Sequence, residues 1–277
     1  MEPGLYVVAT PIGNLRDITL RALDVLRAVN RIYAEDTRVT RKLLDAYGIK
    51  ASLGAYHEHN AEAARADVLA ALERGESVAL VSDAGTPLVS DPGFKLVRAA
   101  LEQGRRVVPL PGASALLAAL VGAGLPTDRF LFAGFLPAKA NARRAVLEEL
   151  AETEASLVFY ETGPRLSESL GDMAAALGPR FAAIGRELTK MYEEFRRGRL
   201  DELAAHYAQA GAPKGEIVVV IGPPPPAQEA SEADLDALLR EALTRVGVRE
   251  AAAEAAAKLG VRRRAAYARA LMLKGEA

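Results

Sequence analysis

The sequence contains no cysteine, which excludes a disulfide framework, thiolate zinc sites, iron–sulfur clusters and a cysteine nucleophile together. Histidine is scarce, with three residues in 277, so there is little imidazole chemistry to distribute. No charge of either sign dominates, since 35 basic and 36 acidic residues give a formal net charge of −1. A global electrostatic pull toward nucleic acid or membrane is thereby excluded, and a polyanionic partner must meet a local patch. The longest nearly unbroken apolar run, Ala113–Leu125, is interrupted by Ser114 and glycines and is too short to span a bilayer. No basic stretch precedes the first apolar residues, so the N-terminus does not read as a signal peptide. These absences predict a soluble, cytoplasmic chain with no membrane partner. The phosphate signatures G-x-x-x-x-G-K-[ST] and G-x-G-x-x-G after the first strand are missing too. A P-loop nucleotidase and a standard Rossmann enzyme are disfavoured, and a cofactor without phosphates fits better.

What is present is ordinary for a globular protein of two or so domains, with 50% hydrophobic and 26% charged residues. Short segments rich in valine, isoleucine and aromatics predict strands at Leu5–Ala9, Arg31–Ala34, Ser77–Ser82, Arg106–Leu110, Phe130–Gly134, Ser156–Tyr160, Phe181–Arg186 and Glu216–Ile221. Helical patterns lie between them, including Ile18–Val29, Ala61–Arg74, Pro92–Gln103 and Ala142–Ala151. This alternation predicts an α/β protein with mainly parallel sheets covered by helices. Gly122–Pro126 breaks the helix that begins near Ser114, which separates an N-terminal α/β domain, 1–122, from a second α/β domain, 123–222. Pro223–Pro226 is a stiff spacer, and 229–277 reads as a helical tail. That tail is polarised: 229–254 holds seven acidic and three basic residues, whereas 255–275 holds six basic and none acidic. Helix, glycine-containing turn and second helix across 251–264 have a helix-turn-helix layout; a small helical cap with a solvated basic face is the alternative.

Three predicted strands run into loops with a glycine or proline where α/β proteins bind ligands: Thr10-Pro11-Ile12-Gly13-Asn14, Ser82-Asp83-Ala84-Gly85-Thr86-Pro87 and Pro109-Leu110-Pro111-Gly112-Ala113-Ser114. One such loop is turn chemistry, as Ser90-Asp91-Pro92 looks like a helix cap; three in one domain favour a ligand cleft. His57-Glu58-His59-Asn60 offers two imidazoles on one side of a strand, but the H-E-x-x-H spacing is absent, so proton handling at a cleft rim is preferred to a metal site. Pro111–Ala115 fails the G-x-S-x-G pattern at its last position, which makes a serine hydrolase at Ser114 a weak reading. Glu35-Asp36-Thr37-Arg38 with Arg41 and Lys42 can position a polyanion beside a proton acceptor, or cap a helix with salt bridges; spacing alone does not choose. Lys139, Arg143 and Arg144 form a second basic group.

Taken together, Leu5–Thr19, Ala34–Arg38, Tyr56–Asn60, Ser82–Pro87 and Lys214–Glu216 resemble, in order, the motifs of the tetrapyrrole methylase superfamily, in its branch that modifies small-subunit ribosomal RNA. The resemblance implies two α/β domains with S-adenosylmethionine in the cleft between them, a homodimer, and methyl transfer to the ribose 2′-hydroxyl of a cytidine in the decoding region of 16S RNA, within the assembled 30S subunit. By motif position it places cofactor contacts on Pro11, Ile12, Asp83, Gly85, Thr86, Ser114 and Ala115, with second-domain contacts at Phe159, Tyr160 and Gly215. A ribose hydroxyl is a poor nucleophile and needs alignment and a proton acceptor. That work is assigned to Asp36, Arg38, His57 and Glu58, and phosphate binding to Arg41, Lys42, Lys139, Arg143, Arg262, Arg263, Arg264 and Arg269. The superfamily branch writes one second-domain loop F-Y-E-S-P-H-R; here it is Phe159-Tyr160-Glu161-Thr162-Gly163-Pro164-Arg165, so the histidine's role does not carry over while the arginine does. A tetrapyrrole or corrin precursor methylase using the same cleft, and a non-catalytic RNA-binding assembly factor, are the competing readings.

Overall fold

The computed structural model describes residues 1–225, 232–259 and 263–275; Arg262, a predicted phosphate contact, lies outside the described residues. Met1–Pro223 form one compact unit and Pro224–Ala277 a second.

The first sheet holds β1 (Gly4–Val8), β2 (Arg31–Ala34), β3 (Leu53–Ala55), β4 (Ser77–Val81) and β5 (Val107–Leu110) in the order β3-β2-β4-β1-β5, all parallel. Helices α1 (Leu20–Ala28) and α2 (Thr37–Ala46) cover one face, and α3 (Ala61–Glu73) and α4 (Phe94–Glu102) the other. Alternation along β1 sorts the side chains: Tyr6 and Val8 join Leu26 and Leu44 on one side, while Leu5 joins Val68 and Leu96 on the other. Burial on both faces is why β1 and β4 read as continuous apolar runs. Neighbours β1 and β4 send their following connections to opposite sides of the sheet, which opens a crevice at their carboxyl ends.

The second sheet holds β6 (Phe130–Phe135), β7 (Ser156–Thr162), β8 (Phe181–Arg186), β9 (Glu194–Arg199) and β10 (Glu216–Ile221), ordered β6-β7-β10-β8-β9. Only β6 and β7 run parallel; every other pairing is antiparallel, contrary to the expectation of mainly parallel sheets. Two of these pairings come from β10, which inserts between β7 and β8 in the opposite direction, and the third from β9, which turns back along β8. The expectation also omitted β9, whose Glu-Phe-Arg-Arg-Gly-Arg sequence is that of a charged edge strand. Helices α6 (Ala140–Glu149), α7 (Gly163–Leu177) and α8 (Leu200–Ala210) pack on one face around Phe159, Leu166 and Leu203. The opposite face receives α5 (Ala115–Ala123), whose Ala119 and Leu120 meet Val158 and Val218. Thus α5 leaves a loop of the first sheet and seats on the second.

The second unit consists, among its described residues, of α9 (Glu232–Leu243), α10 (Val248–Leu259) and α11 (Arg263–Gly275) around Leu239, Ala252, Ala266 and Leu273. Arg269 is a correction to the predicted phosphate contacts: it reaches both carboxylate oxygens of Asp236 at 2.6 and 2.7 Å and ties α11 to α9. Arg263 and Arg264 are exposed. Among the described residues no helix is long and apolar enough to cross a membrane.

Candidate active site

The three glycine-bearing loops of the first sheet are bonded to one another. Thr10 and Gly85 exchange both backbone hydrogen bonds, at 2.8 and 3.0 Å, so the β1 loop and the β4 loop meet as a two-residue bridge. The Thr10 hydroxyl donates to the Ser82 carbonyl at 3.1 Å, and the Thr86 hydroxyl donates to the Ala113 carbonyl at 3.3 Å. Gly85 holds the left-handed φ of 78° that this crossing needs. Ser114 accepts from the Leu117 amide at 3.4 Å and caps α5, which is the structural alternative to a nucleophile.

These loops and the second sheet enclose a cavity of about 360 Å³. Seven predicted cofactor residues line it: Ile12, Gly85, Thr86, Ser114, Ala115, Tyr160 and Gly215. Phe159 does not, because alternation along β7 turns its ring into the core beneath α7 while Tyr160 faces the cavity. Pro11 and Asp83 line an adjoining cavity of about 300 Å³ that shares Ile12, Ala84 and Glu216 with the first. Of the acidic residues that border the first cavity, Asp91 offers it a carboxylate, whereas Glu161 turns its own toward α7, accepting from the Ser169 hydroxyl at 2.6 Å, and Glu216 is paired with Lys190 at 2.7 Å. No lysine or arginine among the described residues borders the cavity. A half-buried carboxylate with no basic neighbour on the wall suits a ligand that carries positive charge and no phosphate, as a sulfonium with an amino-acid ammonium does.

Asp91 is the site residue that sequence reasoning missed. Ser90-Asp91-Pro92 is not a helix cap: α4 starts at Phe94, its cap position is Gly93 with φ 134°, and no side chain caps it. Instead Leu88 and Ser90 adopt left-handed φ values of 74° and 64°, and the strained loop brings Asp91 to the cavity wall. Burial, followed by the neighbouring Glu35 carboxylate, raises its carboxyl to about 6, against the Ser82 hydrogen bond that lowers it. Glu35 is also raised, by burial and then by Asp83. A run of turn residues after Asp83 was the available signal, and it read equally well as capping.

The predicted proton-handling group divides. Asp36 caps α2, accepting from the Arg38 amide at 2.8 Å and from the Arg38 guanidinium at 2.6 Å. Those bonds hold its carboxyl at about 2, which makes it a weak base at neutral pH. Salt-bridged capping is therefore what the geometry shows for the Asp36–Arg38 pair. The Asp36 amide donates to Asp83 Oδ1 at 2.8 Å, which links the β2 and β4 loops. His57 is half-buried, with its Nδ1 unpartnered among the described residues, and Glu58 is exposed; both act electrostatically on Glu35. The His57 and His59 rings lie 6.0 Å apart, edge to face.

The predicted basic contacts also divide. Arg41 and Lys42 are exposed on α2, and Lys139 is exposed at the start of α6. Arg143 is a correction: its side chain is 3% exposed, and its guanidinium sits on Asp172 at 2.7 Å, so it is unavailable to phosphate. Arg165, retained where the loop departs from the expected pattern, donates to the Leu136 carbonyl at 2.6 Å, and Pro164 falls in the first turn of α7. A clamp joins the two sheets: Lys190 donates to Glu187 and Glu216, each at 2.7 Å, and its stem lies where a Cβ on Gly13 would be.

Comparison with known proteins agrees with this arrangement. A profile of the tetrapyrrole (corrin/porphyrin) methylases matches residues 4–204, and a profile of the RsmI C-terminal HTH domain matches 229–274. A protein named ribosomal RNA small subunit methyltransferase I from Mesorhizobium japonicum is 57% identical over 275 residues, covering 99% of this chain and 93% of its own length. Its namesake from Erythrobacter litoralis is 53% identical over 274 residues, covering 99% and 96%. Among solved structures, uroporphyrin-III-C-methyltransferase from Thermus thermophilus shares the fold, with a TM-score of 0.57 at 22% identity over 79% of this chain and 94% of that one. With one profile spanning most of the sequence and relatives above half identity along nearly all of it, this chain belongs to the tetrapyrrole methylase family and, within it, to the ribosomal RNA small subunit methyltransferase I family.

Proposed function

We propose that the chain transfers a methyl group from S-adenosylmethionine to the ribose 2′-hydroxyl of a cytidine in the decoding region of small-subunit ribosomal RNA, acting as a homodimer on the assembled subunit. The observation that carries the reading is the cavity between the sheets, bordered by the Asp91 carboxylate and by no basic residue among the described ones, beside a second cavity flanked by Lys42. The names of the full-length relatives supply the RNA substrate.

S-adenosylmethionine, when bound, supplies an electrophilic methyl carbon; the acceptor oxygen gains it, the sulfur leaves as a neutral thioether, and the hydroxyl proton is released. The protein's part is to hold and align. Ile12, Gly85, Thr86, Ser114, Ala115, Tyr160 and Gly215 form the walls, and Asp91 supplies the countercharge. Glu35, whose carboxyl is raised by burial, is a stronger base than Asp36, whose carboxyl the Arg38 bonds hold at about 2. Arg41, Lys42 and Lys139 contact phosphates from the first unit, and Arg263 and Arg264 from the second.

Labelled methyl donor supplied to unmethylated small subunits, followed by mapping of the labelled nucleotide, tests this. A single 2′-O-methylated cytidine in the decoding region is expected. Label on naked RNA alone changes the substrate, and label on a corrin precursor instead overturns the reading. For the helical unit, Arg263→Ala combined with Arg264→Ala is expected to weaken RNA binding and to lower its salt dependence by about two counterions, with donor affinity unchanged. Filter binding across a salt series measures this, and an unchanged slope removes these arginines from the interface.

A further inference from the structure

The second cavity shares the wall formed by Ile12, Ala84 and Glu216 with the first, and its remaining lining comes from the β1 loop, from α2, from Ser82 and Asp83 of the β4 loop and from Lys190. We propose that this cavity receives the acceptor nucleoside, turned out of its RNA strand, with Asp83 accepting a hydrogen bond from the exocyclic amine of the base. The assignment rests on the methyl-transfer reading above.

Six features carry it. A methyl acceptor must reach the reacting carbon, so its pocket has to adjoin the donor's, and this cavity does. Leu15, Val39 and Leu43 give it apolar surfaces of the kind that sandwich an extruded base. Asp83 uses Oδ1 to hold the Asp36 amide at 2.8 Å, and a carboxylate accepts about four hydrogen bonds. Its remaining capacity matches the cytosine amino group, the base edge that a carboxylate reads. Thr40, 2% exposed and part of the same lining, has a hydroxyl without a partner among the described residues. Exposed Lys42 borders the cavity where a flanking phosphate would lie, whereas Lys190 is neutralised by Glu187 and Glu216. A volume of about 300 Å³ is at the lower end for ligand sites, which suits one nucleoside better than a macrocycle.

Two plugs on the full-length protein test the assignment. Leu15 is 47% and Val39 38% exposed, so Leu15→Trp and Val39→Trp can each fill the cavity without entering the core. Each is expected to lower methyl transfer to unmethylated small subunits more than tenfold, chiefly through KM for the subunit. The dissociation constant for S-adenosylmethionine by calorimetry stays within twofold, and a thermal melt confirms folding. Wild-type transfer rates in the folded plugs overturn the assignment, and so does a matching loss of donor binding, which would give the cavity to the donor. Asp83→Asn is expected to narrow the preference for cytidine over uridine about tenfold on subunits reconstituted with either nucleotide; an unchanged preference overturns Asp83's part. A wild-type protein that binds the donor yet labels no RNA overturns the methyl-transfer reading itself, a result separable from plug failure because the unplugged protein is already inactive.

Discussion

Asp91→Asn is expected to make the protein more stable and a poorer binder of its methyl donor. The folded carboxyl titrates at about 6 against an ordinary 3.8, so the folded state holds the proton more tightly. The stability associated with that proton is complete below pH 3.8 and is lost as pH rises through about 6. At pH 8 the protein therefore keeps a half-buried charge facing Glu35 and Asp83, and the neutral amide relieves it. With the shift discounted for partial exposure, the gain is about 1–2 kcal/mol, or about 2–6 °C in melting temperature, and it vanishes near pH 4. The same change removes the countercharge for a cationic donor, so affinity should fall about tenfold, about 1.4 kcal/mol. Donor affinity of the wild type should rise with pH through about 6, while that of the variant stays flat. Calorimetric titration and thermal melts at pH 4, 6 and 8 check both halves. A variant that is destabilised at pH 8, or that binds the donor as well as the wild type, contradicts the role given to Asp91.

Arg143→Ala should have the largest effect on stability of any basic substitution considered. Its guanidinium is buried against Asp172, which is itself 8% exposed and also accepts from Arg144 at 2.7 Å. Removing one partner of a buried pair leaves an uncompensated charge and costs about 3–5 kcal/mol. Exposed Arg144 still reaches Asp172, which places the expectation at the lower end of that range. Chemical denaturation of the two proteins measures it. Lys139→Ala, at the exposed start of α6, should leave stability within about 0.5 kcal/mol. If Arg143→Ala weakened RNA binding while stability held, the arginine would be facing solvent, contrary to its burial.

Arg143 also shows where sequence reasoning ran out. Lys139, Arg143 and Arg144 read as a basic patch because their neighbours in sequence do nothing to neutralise them; the neutralising carboxylate is 29 positions away on α7. The same limit hid the identity of Asp91, since a turn that caps a helix and a turn that lines a cavity use the same residues. Strand direction in the second sheet was not legible either, because burial fixes which residues are inside and says nothing of which way β10 runs between its neighbours. What could be read was local chemistry. Ile12, Gly85 and Ser114 stand in three loops separated by strands and helices, yet the glycine and the serine are the residue types that a close backbone approach and a helix start demand, and the parallel order of β4, β1 and β5 brings the three together. Phe159 failed by one position, the distance that reverses the face of a strand.

The seating of α5 has a mechanical consequence. Ser114 and Ala115 begin a helix anchored in the second sheet, while Ala113 is bonded to Thr86 of the first. Any hinge between the sheets must therefore bend at the wall of the first cavity, so that widening its mouth and loosening its grip on an occupant become a single motion.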